Sequence, residues 1–258
     1  MKKNTKKLLY VFFILVMIIS AAWFYVDYTN KNNNEEEVPE VYEPTPSEID
    51  VDDKDKESAK VESLVIKMAP DVDLAEERRK NNNNDIVGRL EIPDLFNVLV
   101  VKTTNNDYYL NHAVNKSYDI RGSEFLDYRV NPTSKQVNIY GHNSRDPNIK
   151  VAFLKLESYL KKDFFDNNPY IIFQYDGGKS IYKIKAIKEV YETNTEHLLV
   201  DKTGSDFVNH VNTMTTGNGI IFSRDVKVDA NSEILVLQTC SHHWNNALYT
   251  FIAVKIDY

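Results

Sequence analysis

The chain has 258 residues, a net charge of −7 and a single cysteine. This length is enough for one sizeable domain with appendages. One cysteine excludes an internal disulfide, and the C-terminal domain has no basic patch, which argues against a nucleic-acid partner.

The N-terminus combines a basic tail, residues 1–7, with an uncharged apolar run at residues 8–26. As a helix, this run is about 28 Å long, which matches the hydrocarbon core of a bilayer. Because the lysines precede it, the N-terminus is expected in the cytoplasm and the rest of the chain outside. We therefore predict a single-pass anchor in the cell membrane. A cleaved signal peptide is the alternative, and it leads to the same extracellular domain.

The next segment, residues 27–60, is rich in Asn, Pro and acidic residues and has few large apolar side chains. Such a composition cannot bury a core, so it predicts an acidic, disordered spacer. The folded domain is expected to occupy residues 61–258. It begins with one or two short helices broken at Pro70, the second at residues 73–80.

From residue 86 onwards, short apolar segments rich in Val, Ile, Tyr and Phe alternate with turn residues. Eight segments are predicted to be strands: 86–92, 95–103, 135–142, 169–175, 180–192, 219–223, 233–240 and 248–256. The sequence at 176–178, Asp-Gly-Gly, predicts a hairpin. Helices are expected at 151–162 and at 201–216, the latter with Ser205 as its N-cap. The fold is mainly β, either a closed barrel or a sandwich.

Two strand ends carry residues suited to catalysis. The strand 233–240 ends in Cys240, and the strand 135–142 ends in His142. A thiol and an imidazole at strand ends are a common arrangement for a nucleophile and its acid–base partner. The alternatives are structural: a buried hydrophobic cysteine, and a turn histidine bonded to backbone groups.

Several segments together resemble the sortases, and specifically class B: DIVGRLEIP, DYYLNHAVNKSYDIRGSEFLDYR, NIYGHNS, FVNHVNTM and LQTC. The resemblance covers about residues 64–258. The 98 positions from His142 to Cys240 leave room for the helix at 201–216, as in class B. The resemblance implies a closed eight-stranded β-barrel with N-terminal helices and a helix inserted before the strand that carries the cysteine.

The resemblance also implies a cysteine transpeptidase mechanism. Cys240 would cleave the C-terminal sorting signal of a secreted protein after Thr and form a thioacyl-enzyme, with His142 as acid–base partner. An amine of a peptidoglycan precursor or of a pilin would then accept the acyl group. No cofactor and no metal are expected, since the adjacent His242 and His243 point in different directions.

One position departs from the family pattern. Sortases normally place an arginine on the strand after the cysteine, where it donates hydrogen bonds to the substrate or the oxyanion. That position falls at Leu248, and no arginine follows Cys240. We expect Arg224 or Asn246 as substitute donors, and the hydroxyl of Thr239 as a further group that orients the substrate.

Two other functions stay open. Without the arginine, the protein could be a weak or inactive homologue that binds sorting signals or assists pilus assembly. It could also be an exported cysteine peptidase, in which water replaces the amine. Asn143 and Asp146 follow His142 closely, but the sequence does not show whether a third group orients the imidazole.

Overall fold

The computed structural model describes residues 68–146 and 148–256. Within them, the α-helices are α1 (Leu74–Asn81), α2 (Lys162–Asn167) and α3 (Gly204–Thr215). Three 3-10 helices span Tyr108–Leu110, Ala152–Leu160 and Glu196–Leu198. The strands are β1 (Ile86–Ile92), β2 (Phe96–Val101), β3 (Phe125–Leu126), β4 (Gln136–Tyr140), β5 (Tyr170–Tyr175), β6 (Gly178–Tyr191), β7 (Ile220–Ser223), β8 (Ile234–Ser241) and β9 (Ala247–Ile256).

The strands form a closed barrel. Their order is β5-β1-β2-β3-β4-β8-β9-β6-β7, and β5 also pairs with β6. That last pairing joins the two ends of an eight-stranded sheet and leaves β7 as an extra strand beside β6. Closure removes the exposed edges that an open sheet of apolar strands would present. The predicted closed barrel is therefore confirmed.

The parallel pairing of β4 with β8 determines where the functional residues lie. The register runs from Gln136 opposite Ile234 to Tyr140 opposite Gln238. Because parallel strands end on the same side of a sheet, the residues that follow β4 lie beside the last residues of β8. His142 and Cys240 are thus brought to one end of the barrel.

The two faces of β8 bury different clusters. Leu235 and Leu237 belong to the large cluster inside the barrel. Ile234 and Val236 point outwards, where they pack under α3. The helix contributes buried apolar residues at helical spacing, namely Phe207, Val211 and Met214. Burial of each such side chain contributes about 1.5–3 kcal/mol, so this face fixes α3 on the barrel.

Polar contacts hold the segment between β6 and β7 against the outer face of β4. The main-chain oxygen of His197 accepts hydrogen bonds from Nε2 of Gln136 (2.8 Å) and Nδ2 of Asn138 (2.7 Å). The His210 ring on α3 is bonded to Gln136 at 3.0 Å. All four residues are buried. The inserted segment therefore forms a fixed wall on the face of the sheet that carries Cys240.

Local structure agrees with the sequence in some elements and differs in others. α1 begins after Asp73, whose carboxylate accepts from two main-chain N–H groups, and the hairpin at 176–178 joins β5 to β6 as predicted. The expected helix at 151–162 is instead mostly a 3-10 helix. Its buried residues Phe153, Leu156 and Tyr159 recur every three positions, which is the 3-10 period.

Two further expectations are corrected. α3 starts at Gly204 after an extended Thr203, so Ser205 lies inside the first turn and is not the N-cap. The segment 219–223 contains the extra strand β7, and the barrel is completed instead by the two-residue β3, which the sequence pattern missed. Two residues are too few to show an alternating pattern.

The predicted membrane location is also corrected. No helix within residues 68–146 and 148–256 is long and apolar enough to cross a bilayer, so the structure does not support a single-pass membrane protein anchored by an N-terminal helix. The predicted tail, anchor and spacer, residues 1–60, lie outside the described residues.

Candidate active site

Cys240 is the next-to-last residue of β8, and it is an exposed, free cysteine. The six residues before it on the strand are buried, so β8 brings this side chain to the surface at its end. Partial burial raises the pKa of the Cys240 thiol, and the negative charge of Glu192 raises that pKa further. The surroundings thus favour the neutral thiol, and a thiolate needs a positively charged partner.

His142 is oriented by the main chain. Its Nε2 lies 2.7 Å from the main-chain oxygen of Leu110. Leu110 is the last residue of the 3-10 helix Tyr108–Leu110. A carbonyl oxygen accepts only, so Nε2 carries the proton and Nδ1 is the nitrogen left for acid–base chemistry. Gly122 makes room for the ring, because a Cβ there would lie 3.0 Å from Cδ2 of His142.

Hydrogen bonds continue the β4–β8 pairing beyond the end of β4. The Gly141 N–H donates to the Gln238 oxygen at 3.3 Å, and the Thr239 hydroxyl donates to the Gly141 oxygen at 2.8 Å. Nδ2 of Asn143 donates to the Cys240 oxygen at 3.0 Å. The residues on either side of His142, Gly141 and Asn143, are therefore hydrogen-bonded to the segment that carries Cys240.

Arg145 completes this contact. Its Nη2 donates to the main-chain oxygen of His242 at 2.9 Å, two residues after Cys240. This arginine is not among the residues that the sequence predicts for the site. An exposed arginine in a loop carries no pattern that predicts which carbonyl it will bind.

Known proteins with similar sequence or structure support one family. Sortase B of Listeria monocytogenes is 32% identical over 164 residues, which cover 61% of this chain and 63% of that protein. No protein-family model matches the sequence. A C232S mutant form of Clostridium perfringens sortase B has a TM-score of 0.63 at 26% identity and covers 71% of this chain and 87% of that one. The chain is similar to class B sortases in both sequence and fold.

More distant class B sortases share the fold. The Staphylococcus aureus sortase B–substrate complex has a TM-score of 0.63 at 23% identity and covers 80% of this chain and 98% of that one. Spy0129 of Streptococcus pyogenes, a class B sortase involved in pilus biogenesis, has a TM-score of 0.57 at 22% identity. The match covers 67% of this chain and 94% of that one. The matched segment spans less than two thirds of the Listeria relative.

Leu248, the predicted family arginine position, lies directly opposite Cys240 in the antiparallel β8–β9 pair. Cross-strand partners point to the same face of a sheet, so this side chain adjoins the thiol. Leucine offers no hydrogen-bond donor there. A hydrogen-bond donor beside the thiol has to come from another residue.

Arg224, one of the suggested substitutes, lies elsewhere. Its guanidinium carbon is 4.0 Å from the centre of the Phe165 ring, and Nη2 donates to the Phe165 oxygen. Its main-chain N–H donates to the oxygen of Lys185 on β6. Leu248 on β9 pairs with Cys240 on one side and with Val190 of β6 on the other. Val190 is five residues after Lys185 along β6, a distance of about 17 Å. The structure does not bring Arg224 together with Cys240.

The other two suggested residues adjoin the site but are partly engaged. Thr239 is only 3% exposed, and its hydroxyl already donates to Gly141. Asn246 lies in the exposed turn before β9 with φ of 58°, and its main-chain oxygen accepts from the N–H of Glu192 at 2.8 Å. Their roles toward a substrate stay predictions.

The adjacent histidines after Cys240 have different surroundings. Nδ1 of His243 lies 3.4 Å from the carboxylate of Glu189, whereas Nε2 of His242 is buried and has no hydrogen-bond partner among the described residues. The described residues include no group of three or more His, Cys, Asp or Glu side chains arranged to hold a metal ion.

Proposed function

We propose that this protein is a cysteine transpeptidase with residues 61–258 as its catalytic domain, Cys240 as nucleophile and His142 as acid–base partner. The observation that carries the proposal is the parallel β4–β8 pair, which delivers both residues to one end of the barrel. The hydrogen bonds between the two segments support the same assignment, because they join the residues on either side of His142 to the end of β8 that carries Cys240.

In the first step, the sulfur of Cys240 attacks the main-chain carbonyl carbon of the Thr in the sorting signal of a client protein. The C–S bond forms, and the C–N bond of the peptide breaks. The thiol proton passes to Nδ1 of His142 and then to the departing amine. The acyl group is retained as a thioester, so the exchange needs no ATP.

In the second step, an acceptor amine attacks the thioester and gives up a proton to His142. A new amide bond forms as the C–S bond breaks, which restores the thiol. A cross-bridge amine of a peptidoglycan precursor and a pilin lysine both supply this chemistry. Class B relatives include one involved in pilus biogenesis, so acceptor competition has to decide between them.

Intact-mass spectrometry tests this function. The full chain is incubated with candidate sorting peptides, with and without an acceptor amine. We expect an adduct on Cys240 and a ligated product, both lost in Cys240→Ala and strongly reduced in His142→Ala. Hydrolysed peptide alone at high amine concentration would indicate a peptidase. If no peptide acylates Cys240 and His142→Ala behaves like the wild type, the proposal fails.

Leu248 favours a second candidate, a binder of sorting signals with little turnover. Loss of one oxyanion donor typically lowers the rate 10²–10³-fold, and leucine opposite Cys240 supplies no donor. Peptide binding that survives Cys240→Ala, without any product from the wild type, would support this function. Leu248→Arg should then raise turnover, whereas Leu248→Lys, which lacks the planar fork, should raise it less.

A further inference from the structure

The end of β8 extends beyond its neighbour. β4 ends at Tyr140, which pairs with Gln238, whereas β8 continues to Ser241. β9 still pairs with β8 here, but the main-chain groups that face the β4 side past this point need partners other than a strand. Asn143 supplies one, because its Nδ2 donates to the oxygen of Cys240 at 3.0 Å.

Every hydrogen-bonding group of the Asn143 side chain has a partner. Nδ2 also donates to Oε1 of Glu157 at 2.8 Å, and Oδ1 accepts from the N–H of Ser144 at 2.8 Å. Two acceptors around the nitrogen and one donor at the oxygen define the orientation of the amide. The side chain is 7% exposed, so it is held in one position.

Asn143 follows His142 in the chain and is bonded to the main chain of Cys240. We propose that Asn143 is a positioning residue that sets the distance and angle between His142 and Cys240, with Glu157 holding the amide in place. The inference rests on the proposed function, in which these two side chains exchange a proton.

The amide is the group that suits this position. Its nitrogen donates twice while its oxygen accepts once, which matches the three partners around it. An aspartate would place a carboxylate against both the Cys240 oxygen and the Glu157 carboxylate and would donate to neither. An alanine would leave both acceptors without a donor.

Alkylation of the single cysteine tests the inference in the full chain without any peptide. The rate constant for iodoacetamide is measured from pH 5 to 9. We expect Asn143→Asp and Asn143→Ala to lower the rate at pH 7 by about tenfold or more, because a misplaced base no longer supports the thiolate. The midpoint of the curve of alkylation rate against pH should shift toward the midpoint measured for His142→Ala. The control is Asn148→Asp, which changes an exposed amide in the same loop that donates to Asp146, and its rate should stay within about twofold of the wild type.

Thermal unfolding of each variant separates positioning from folding. A folded Asn143→Ala with the wild-type rate and midpoint would overturn the inference. If the Asn143 variants do not fold, Glu157→Gln and Glu157→Ala replace them. Glu157→Gln keeps an acceptor for the Asn143 amide and should change the alkylation rate less than Glu157→Ala. Equal alkylation rates in these two variants would overturn the inference. Failure of every sorting peptide would instead contradict the proposed function, since alkylation needs no peptide.

Discussion

The imidazole of His142 donates from Nε2 to the main-chain oxygen of Leu110, across 2.7 Å. Because a carbonyl oxygen cannot donate, this bond fixes the tautomer of the neutral ring, with the proton on Nε2 and the lone pair on Nδ1. Nitrogen-15 NMR of the histidine rings, assigned with His142→Gln, should show this pattern at a pH where the ring is neutral. A protonated Nδ1 and an unprotonated Nε2 would contradict the assigned roles.

Gly122 is needed at its position for two reasons. Its φ is +62°, and a Cβ there would lie 2.5 Å from the Tyr109 oxygen and 3.0 Å from the His142 ring. Gly122→Ala should therefore lower the free energy of unfolding by about 1–3 kcal/mol and slow peptide cleavage.

The matched control is Gly177→Ala. Its φ is +81°, but nothing lies within 4 Å of the added Cβ, so only the backbone strain is present. Urea unfolding measures both losses, and cleavage is measured per folded molecule. If Gly122→Ala cleaves peptide as fast as Gly177→Ala, the glycine does not position the histidine.

Glu192 should control the reactivity of Cys240. Its negative charge raises the pKa of the thiol, so Glu192→Gln should lower that pKa and speed alkylation at pH 7. The gain should shrink above the thiol pKa, where the thiolate is already formed in both proteins. Glu76→Gln on α1, which removes the same charge from an exposed helix, should leave the rate unchanged. Equal rates in both variants would show that Glu192 lies too far from the sulfur to act.

Arg224 should matter for stability and not for chemistry. Its guanidinium stacks on the Phe165 ring at 4.0 Å and donates to the Phe165 oxygen, so it joins the end of β7 to α2. Arg224→Ala should lower the free energy of unfolding by about 1–2 kcal/mol and leave the alkylation rate of Cys240 unchanged. Arg224→Lys, which keeps a charge but not the planar stack, should be intermediate in stability. If Arg224→Ala folds but is acylated by peptide more slowly than the wild type, Arg224 becomes a candidate again for the residue that donates a hydrogen bond to the substrate.

The sequence predicts what repeats locally and misses what is joined at long range. Alternating apolar residues mark eight strand segments, and the strand ends at Cys240 and His142 show where reactive side chains reach the surface. The parallel contact between those two strands joins residues almost a hundred positions apart, so only the family resemblance implied it. The Leu110 oxygen is a main-chain group, and no residue type identifies it. The sequence shows Asn143 as the neighbour of His142, but its bond to Cys240 depends on that same long-range contact.

Burial of His197 should make the fold sensitive to acid. Burial, and after it the nearby charge of Arg129, lower the pKa of His197 to about 4. An unfolded histidine titrates near 6.5, so between about pH 6.5 and 4 the unfolded chain binds a proton that the folded protein does not. The free energy of unfolding should therefore fall as the pH decreases through this window, by at most about 1.4 kcal/mol per pH unit.

Urea unfolding at pH 7 and pH 5 measures the effect. We expect a loss of about 2 kcal/mol from His197 across this interval. His197→Phe keeps a ring against Tyr140, 6.2 Å away between centroids, but cannot titrate. Its pH dependence should be smaller by that amount. The pKa of His210 is also lowered by burial, so some dependence should remain in the variant. Identical pH dependence in both proteins would show that His197 becomes protonated in the folded state as easily as in the unfolded one.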